Sequence, residues 1–164
     1  MKKSLIFILI ISCVMLLSAC AKVETENNIV LSFCGKNETL ELNNGVIVLS
    51  DSREAFSGGN FEVVNPEMFS KISSYSTTFY TTYGDKKSVI ISDGILDKTE
   101  NVVEVGGGLG QAAAEDVLPD HSVKNVQDLK DNLWFELKTM DVDGNENTYQ
   151  LQLDFTQVTQ IDIP

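Results

Sequence analysis

A chain of 164 residues with 24 acidic and 12 basic side chains carries a formal charge of −12 at pH 7. Nucleic acid and anionic lipid headgroups repel so acidic a surface and are not expected as direct partners; basic proteins, cationic peptides or divalent metals are its electrostatic match.

The chain opens on Lys2 and Lys3, and an apolar run from Leu5 to Leu17 follows, broken only by Ser12. As a helix that run spans about 20 Å, short of the roughly 30 Å hydrocarbon core of a bilayer, but the 18 uncharged residues from Ser4 to Ala21 are borderline for a span, so length alone does not exclude an uncleaved anchor. A basic start, an apolar stretch and small residues at its end are the marks of a secretory signal. The stretch closes on Leu17-Ser18-Ala19-Cys20, which resembles the lipobox of bacterial lipoproteins. That box needs a cysteine because a thiol is nucleophilic enough to take a diacylglyceryl group as a thioether. The resemblance implies that residues 1–19 are a signal peptide cut after Ala19. Cys20 becomes the lipid attachment site, and fatty chains such as palmitate hold the exported protein on the outward side of the cell membrane. Two or more chains anchor stably where one is marginal.

Removing the first 19 of 164 residues leaves 145, enough for one domain with its own core. The leader holds two lysines and no acid, so its loss takes the charge from −12 to −14. Cys13 leaves with it and Cys20 is taken by lipid, so Cys34 stands alone and no internal disulfide is expected. In NIVLSFCG it reads as a half-buried strand cysteine. A single histidine, with only Cys34 left free once Cys13 and Cys20 are assigned to the leader and the lipid, argues against a zinc centre. Residues 20–28 form the lipidated N-terminus and a polar tether, and residues 29–164 a single β-rich domain.

Along that domain NIVLSF is a strand, and TLELNNGVIVL places Asn44-Gly45 between two β-rich runs, the signature of a hairpin. FEVV at 61–64 is a further strand. Asn65-Pro66-Glu67 starts a helix, with asparagine as the cap, proline in the first turn and an acid at the positive end of the dipole. Its body is PEMFSKISS, with Met68, Phe69 and Ile72 inward. SYSTTFYTTYGDKKSVIIS is a hairpin around Gly84-Asp85. The spacing of Tyr75, Phe79 and Tyr83 also fits a helix, but the threonines favour a strand with Tyr75, Thr77, Phe79, Thr81 and Tyr83 on one face. VVEV at 102–105 is a strand, QAAAEDVL a short helix ended by Pro119, and VKNVQDLKD a turn or two of helix. LWFELKT and TYQLQLDF alternate with period two about DVDGNEN and form a hairpin with one wet face. The expected fold class is α+β: a mainly antiparallel β-sheet with hairpins and two or three short helices.

Three stretches bear on chemistry. Gly106-Gly107-Gly108-Leu109-Gly110, between a predicted strand and a predicted helix, resembles the first motif of methyltransferases that use S-adenosylmethionine. That resemblance implies an enzyme binding a nucleotide-type cofactor at 106–110. The bland reading is a flexible turn from strand to helix, and Gln111 leaves the dinucleotide pattern incomplete. Asp141-Val142-Asp143-Gly144-Asn145-Glu146, with Asp141, Asp143 and Glu146 as the candidate ligands, resembles a calcium loop, although glycine falls fourth rather than sixth and position twelve is Gln152. His121, beside Asp120, is the only histidine available to a triad, and no GxSxG elbow accompanies it. The expectation is a membrane-anchored surface lipoprotein of the cell envelope with a non-catalytic binding or protective role and cationic proteins or peptides as possible partners. No catalytic, cofactor-binding or metal residue is assigned. The alternative is the enzyme with S-adenosylmethionine at 106–110.

Overall fold

The computed structural model describes residues 26–50, 52–96, 102–115, 117, 118 and 129–163. The strands are β1 (Glu26–Lys36), β2 (Leu40–Leu49), β3 (Glu54–Ser57), β4 (Asn60–Val63), β5 (Ile72–Tyr83), β6 (Lys86–Leu96), β7 (Gly106–Gly108), β8 (Gln111–Ala114), β9 (Leu133–Asp141), β10 (Glu146–Gln152) and β11 (Asp154–Ile163). They make two antiparallel sheets. The larger runs β11-β1-β2-β3-β8, with β4 beside β2 and β7 beside β4; the smaller runs β10-β9-β5-β6.

β3 and β4 lie end to end along β2, since Val46 faces Ser57 and Asn43 faces Asn60 in one register. β8 and β7 continue that arrangement outward, with Gln111 opposite Ser57 and Gly108 opposite Asn60. The breaks at Gly58-Gly59 and Leu109-Gly110 stand side by side and are bridged by Gly58 N–H to Gly110 O (3.1 Å) and Leu109 N–H to Gly59 O (2.9 Å). The larger sheet is thus five strands wide, with β3 and β8 interrupted from β4 and β7 along one line.

The two sheets face each other across a run of aromatic rings. Phe33 contacts Phe56 (centroids 5.6 Å), Phe56 contacts Phe79 (4.8 Å), Phe79 contacts Phe135 (5.1 Å) and Phe135 contacts Phe61 (5.4 Å). β1, β3 and β4 supply three of these rings, β5 and β9 the other two, so the contacts join the sheets. Leu31, Leu40, Leu42, Ile47, Leu133, Leu137 and Leu151 fill the space between. Each such side chain removed from water contributes about 1.5–3 kcal/mol. At Leu153, buried between β10 and β11, the chain passes from one sheet to the other, and its N–H donates to Leu133 O (2.9 Å).

The α+β expectation is overturned. The structure is 68% strand and 4% helical, with no helix of seven residues or more among the described residues. The predicted helix at Asn65 survives as a 3-10 turn, Pro66–Phe69. Its cap forms, with Asn65 Oδ1 accepting from Glu67 N–H at 3.2 Å, but Ile72 already pairs with Asp141 and draws the chain into β5. QAAA is β8: Ala112 and Ala113 pair with Phe56 and Ala55, and pairing overrides alanine's helix propensity. The predicted helix at 123–131 falls largely outside the described residues. VVEV at 102–105 is not a strand, and β7 begins only at Gly106. β1 begins at Glu26, inside the stretch read as tether.

Asn44-Gly45 is a bulge, not a hairpin. A type I′ turn needs two residues with positive φ, and only Asn44 has it (61°). Asn43 and Asn44 together oppose Cys34, while Phe33 faces Gly45 and Gly35 faces Leu42. The actual β1–β2 turn is Asn37–Thr39, where Asn37 Oδ1 accepts from Thr39 and Leu40 N–H at 2.8 Å each. The hairpins at Gly84-Asp85 and at 142–145 form as expected, as does the shared inward face of β5: Tyr75, Thr77, Phe79 and Thr81 are buried and Tyr83 half-buried.

Candidate functional site: an acidic groove where the chain changes sheets

Between β4 and β5 the chain leaves the larger sheet, and residues 102–105 bring it back to β7. A groove of about 800 Å³ lies between these two connections. The capped turn shapes one wall. Pro66 and Asn65 fix its entry, Ser70 Oγ donates to Glu67 O (2.8 Å), and Phe69 swings inward onto Tyr149, centroids 5.2 Å apart. The other wall is Val102–Val105, tied to β5 by Val103 N–H donating to Ile72 O (2.7 Å). Behind it the Tyr75 hydroxyl donates to Gly106 O (3.4 Å). Burial pushes the Tyr75 phenol above its ordinary range against that hydrogen bond, so it stays protonated as a donor.

The groove is mixed in character, with carboxylates and aliphatic side chains in one lining. Glu62, Val63, Phe69, Glu104 and Val105 all line it. Met68 (58% exposed) and Val102 (51%) present aliphatic surface beside the exposed carboxylates of Glu62, Glu67 and Glu104. Among the described residues none of these three carboxylates makes a salt bridge. Such a surface can hold an aliphatic side chain while its carboxylates meet neighbouring cations.

The outer face of the smaller sheet carries a different constellation. Glu136, 5% exposed, is met by Lys87 Nζ (2.9 Å), Gln150 Nε2 (3.0 Å) and Lys138 Nζ (3.7 Å). Lys87 also stands 3.8 Å over the Tyr80 ring, which stacks on Trp134. This cluster joins β6, β5, β9 and β10 and leaves Glu136 no open side for a reactant. A shallow concavity of about 510 Å³ beside it is floored by Ser74, Ser76, Gly94 and Thr148.

Ala19, Cys20, Asp120 and His121 lie outside the described residues. The glycine stretch 106–110 forms β7 and the bend after it, and Gln111–Ala114 is a strand, so the helix N-terminus that would receive a cofactor phosphate is not there. Cys34 is a free, half-buried cysteine on β1, opposite Asp154. Asp141 does not look outward as a calcium ligand would. Its Oδ1 accepts from Asp143 N–H (2.9 Å) and Asn145 N–H (2.8 Å), and Oδ2 accepts from Asn145 Nδ2 (2.9 Å). Among the described residues no three His, Cys, Asp or Glu side chains converge as metal ligands do, and no helix is long and apolar enough to cross a membrane. Sequence reasoning missed the groove because its parts are far apart in the chain; the only local signal was aliphatic residues next to acids in FEVVNPEM and VVEV.

No family model matches the chain, and no curated protein or solved structure matches it.

Proposed function

We propose that this protein is a lipoprotein of the bacterial envelope, held by a lipid on Cys20, whose β-sandwich binds cationic proteins or peptides without transforming them. The leader and its Leu17-Ser18-Ala19-Cys20 box support the anchor, and the charge of −14 after cleavage supports the class of partner. One observation carries the reading: Glu62 and Glu104 line one groove together with Val63, Phe69 and Val105. Negative charge spread evenly over a surface only keeps a protein dispersed, whereas carboxylates and aliphatic side chains sharing one groove suit a basic residue beside an aliphatic one.

Binding of the lipidated protein to a cationic protein such as lysozyme, followed by calorimetry in detergent, tests it. Affinity falls as salt rises, and the double variant Glu62→Gln/Glu104→Gln binds about tenfold more weakly. Absent binding, or binding indifferent to salt, rejects the reading. Mass spectrometry of the native protein tests the anchor: residues 1–19 still attached, or an unmodified Cys20 sulfur, rejects it.

A further inference from the structure

The edge of the larger sheet made by β7 and β8 differs from the other three sheet edges. β6 carries Lys86, Lys87 and Asp93, β10 carries Glu146 and β11 carries Asp154, whereas Gly106–Ala114 holds no charged side chain and no proline. Charges and prolines on edge strands are the usual guard against pairing with foreign strands. Among the described residues β7 pairs only with β4 and β8 only with β3. Among the described residues no strand covers the far side of these two short strands, and Gly107, Gly108, Gln111, Ala113 and Ala114 are exposed, so their main chain stands unguarded by side-chain charge.

The surroundings select what adds there. Val30, Val48, Ala55 and Ala113 stand side by side across the outer face of the sheet. A strand placed beside Ala113 extends this apolar row. The exposed carboxylates of Glu104 and Glu115 flank the run, and the acidic groove opens at its Gly106 end. A second copy of the chain would bring like charge against like charge; a basic segment finds the opposite.

We infer that β7–β8 is a docking edge to which an extended cationic segment of the partner adds as a further strand, aliphatic at its centre and basic at its ends. The main-chain ladder supplies affinity, and Glu104 and Glu115 favour basic ends. The inference rests on the reading of the protein as a binder of cationic segments and gives the bound segment its place and conformation.

The test uses the full lipidated chain and two synthetic peptides of alternating valine and threonine with lysines at both ends. One is unmodified; its twin is N-methylated on its central amides, which keeps charge and side chains but removes the donors. The unmodified peptide binds and slows amide hydrogen exchange within 106–114, and the twin binds at least about tenfold more weakly. Equal binding of both, or binding of lysozyme but of neither peptide, overturns the docking edge while the cationic reading stands. Failure of every cationic probe overturns both. A dimer of the protein alone that protects 106–114 overturns the inference in favour of a second copy.

Discussion

Lys87 on β6 and Glu136 on β9 reach across β5 to meet at 2.9 Å, with the Tyr80 ring beneath the ammonium. Two strands that share no backbone hydrogen bond are thereby tied through a third. Lys87 is itself exposed, but Glu136 is buried, and removing the lysine leaves that buried charge less well compensated. Lys87→Met should lower unfolding free energy by about 1–3 kcal/mol, moderated because Gln150 and Lys138 still serve Glu136. The double variant Lys87→Met/Glu136→Met should recover part of the loss. Urea denaturation followed by Trp134 fluorescence gives the three values, and a double variant worse than the sum of its singles contradicts the account.

The same carboxylate sets a pH dependence. Burial pushes the Glu136 carboxyl up, but the hydrogen bonds from Gln150 and Lys87 outweigh it and hold the group below its ordinary value of 4.5. A pKa lower in the folded than in the unfolded chain stabilises the fold above the unfolded value, and that stability disappears as pH falls through the folded value. The urea midpoint should therefore drop on acidification below about pH 4.5, and Glu136→Gln should drop less over the same interval. Parallel curves for the two proteins would show that Glu136 is not the group responsible.

Gly45 sits face to face with Phe33, and a Cβ built on it would lie 2.1 Å from the ring. Gly45→Ala must displace a fully buried phenylalanine that contacts Phe56, Phe79 and Phe155, and should cost about 1–3 kcal/mol. The neighbouring Asn44→Gly should change stability by no more than about 0.5 kcal/mol, because φ of 61° suits glycine as well as asparagine. Thermal unfolding of the two variants separates them; a tolerated Gly45→Ala would mean that the ring has another place to go.

That pair also shows what was legible in the chain. Leu40 and Leu42 face inward, and so do Ile47 and Leu49, an odd number of residues further on. The apolar alternation therefore slips by one residue across Asn43-Asn44, and a bulge absorbs the slip where a hairpin would reverse the chain. Asn-Gly fits both, and only the parity of the flanking leucines and isoleucine separates them. The strands β5, β9 and β10 were readable because period two and turn chemistry act locally. The nature of Ala112–Ala114 was not, because β3, far upstream, decides it. Nor was the groove, which joins Glu62, Phe69 and Glu104 only once both connections have crossed between the sheets.

The turn between β9 and β10 separates a structural from a metal-binding use of the same acids. Hydrogen bonds from the side chain and backbone of Asn145, and then from Asp143 N–H, hold the exposed Asp141 carboxyl below its ordinary value of 3.8. A carboxylate whose oxygens already accept three hydrogen bonds within its own turn has to give them up to bind an ion. Asp141→Ala should loosen the hairpin and lower the melting temperature, because it loses three hydrogen bonds made within the turn. Millimolar calcium should leave the melting temperature of the unaltered protein where it is. Stabilisation by calcium that disappears in Asp141→Ala would reverse the assignment and make the turn a cation site.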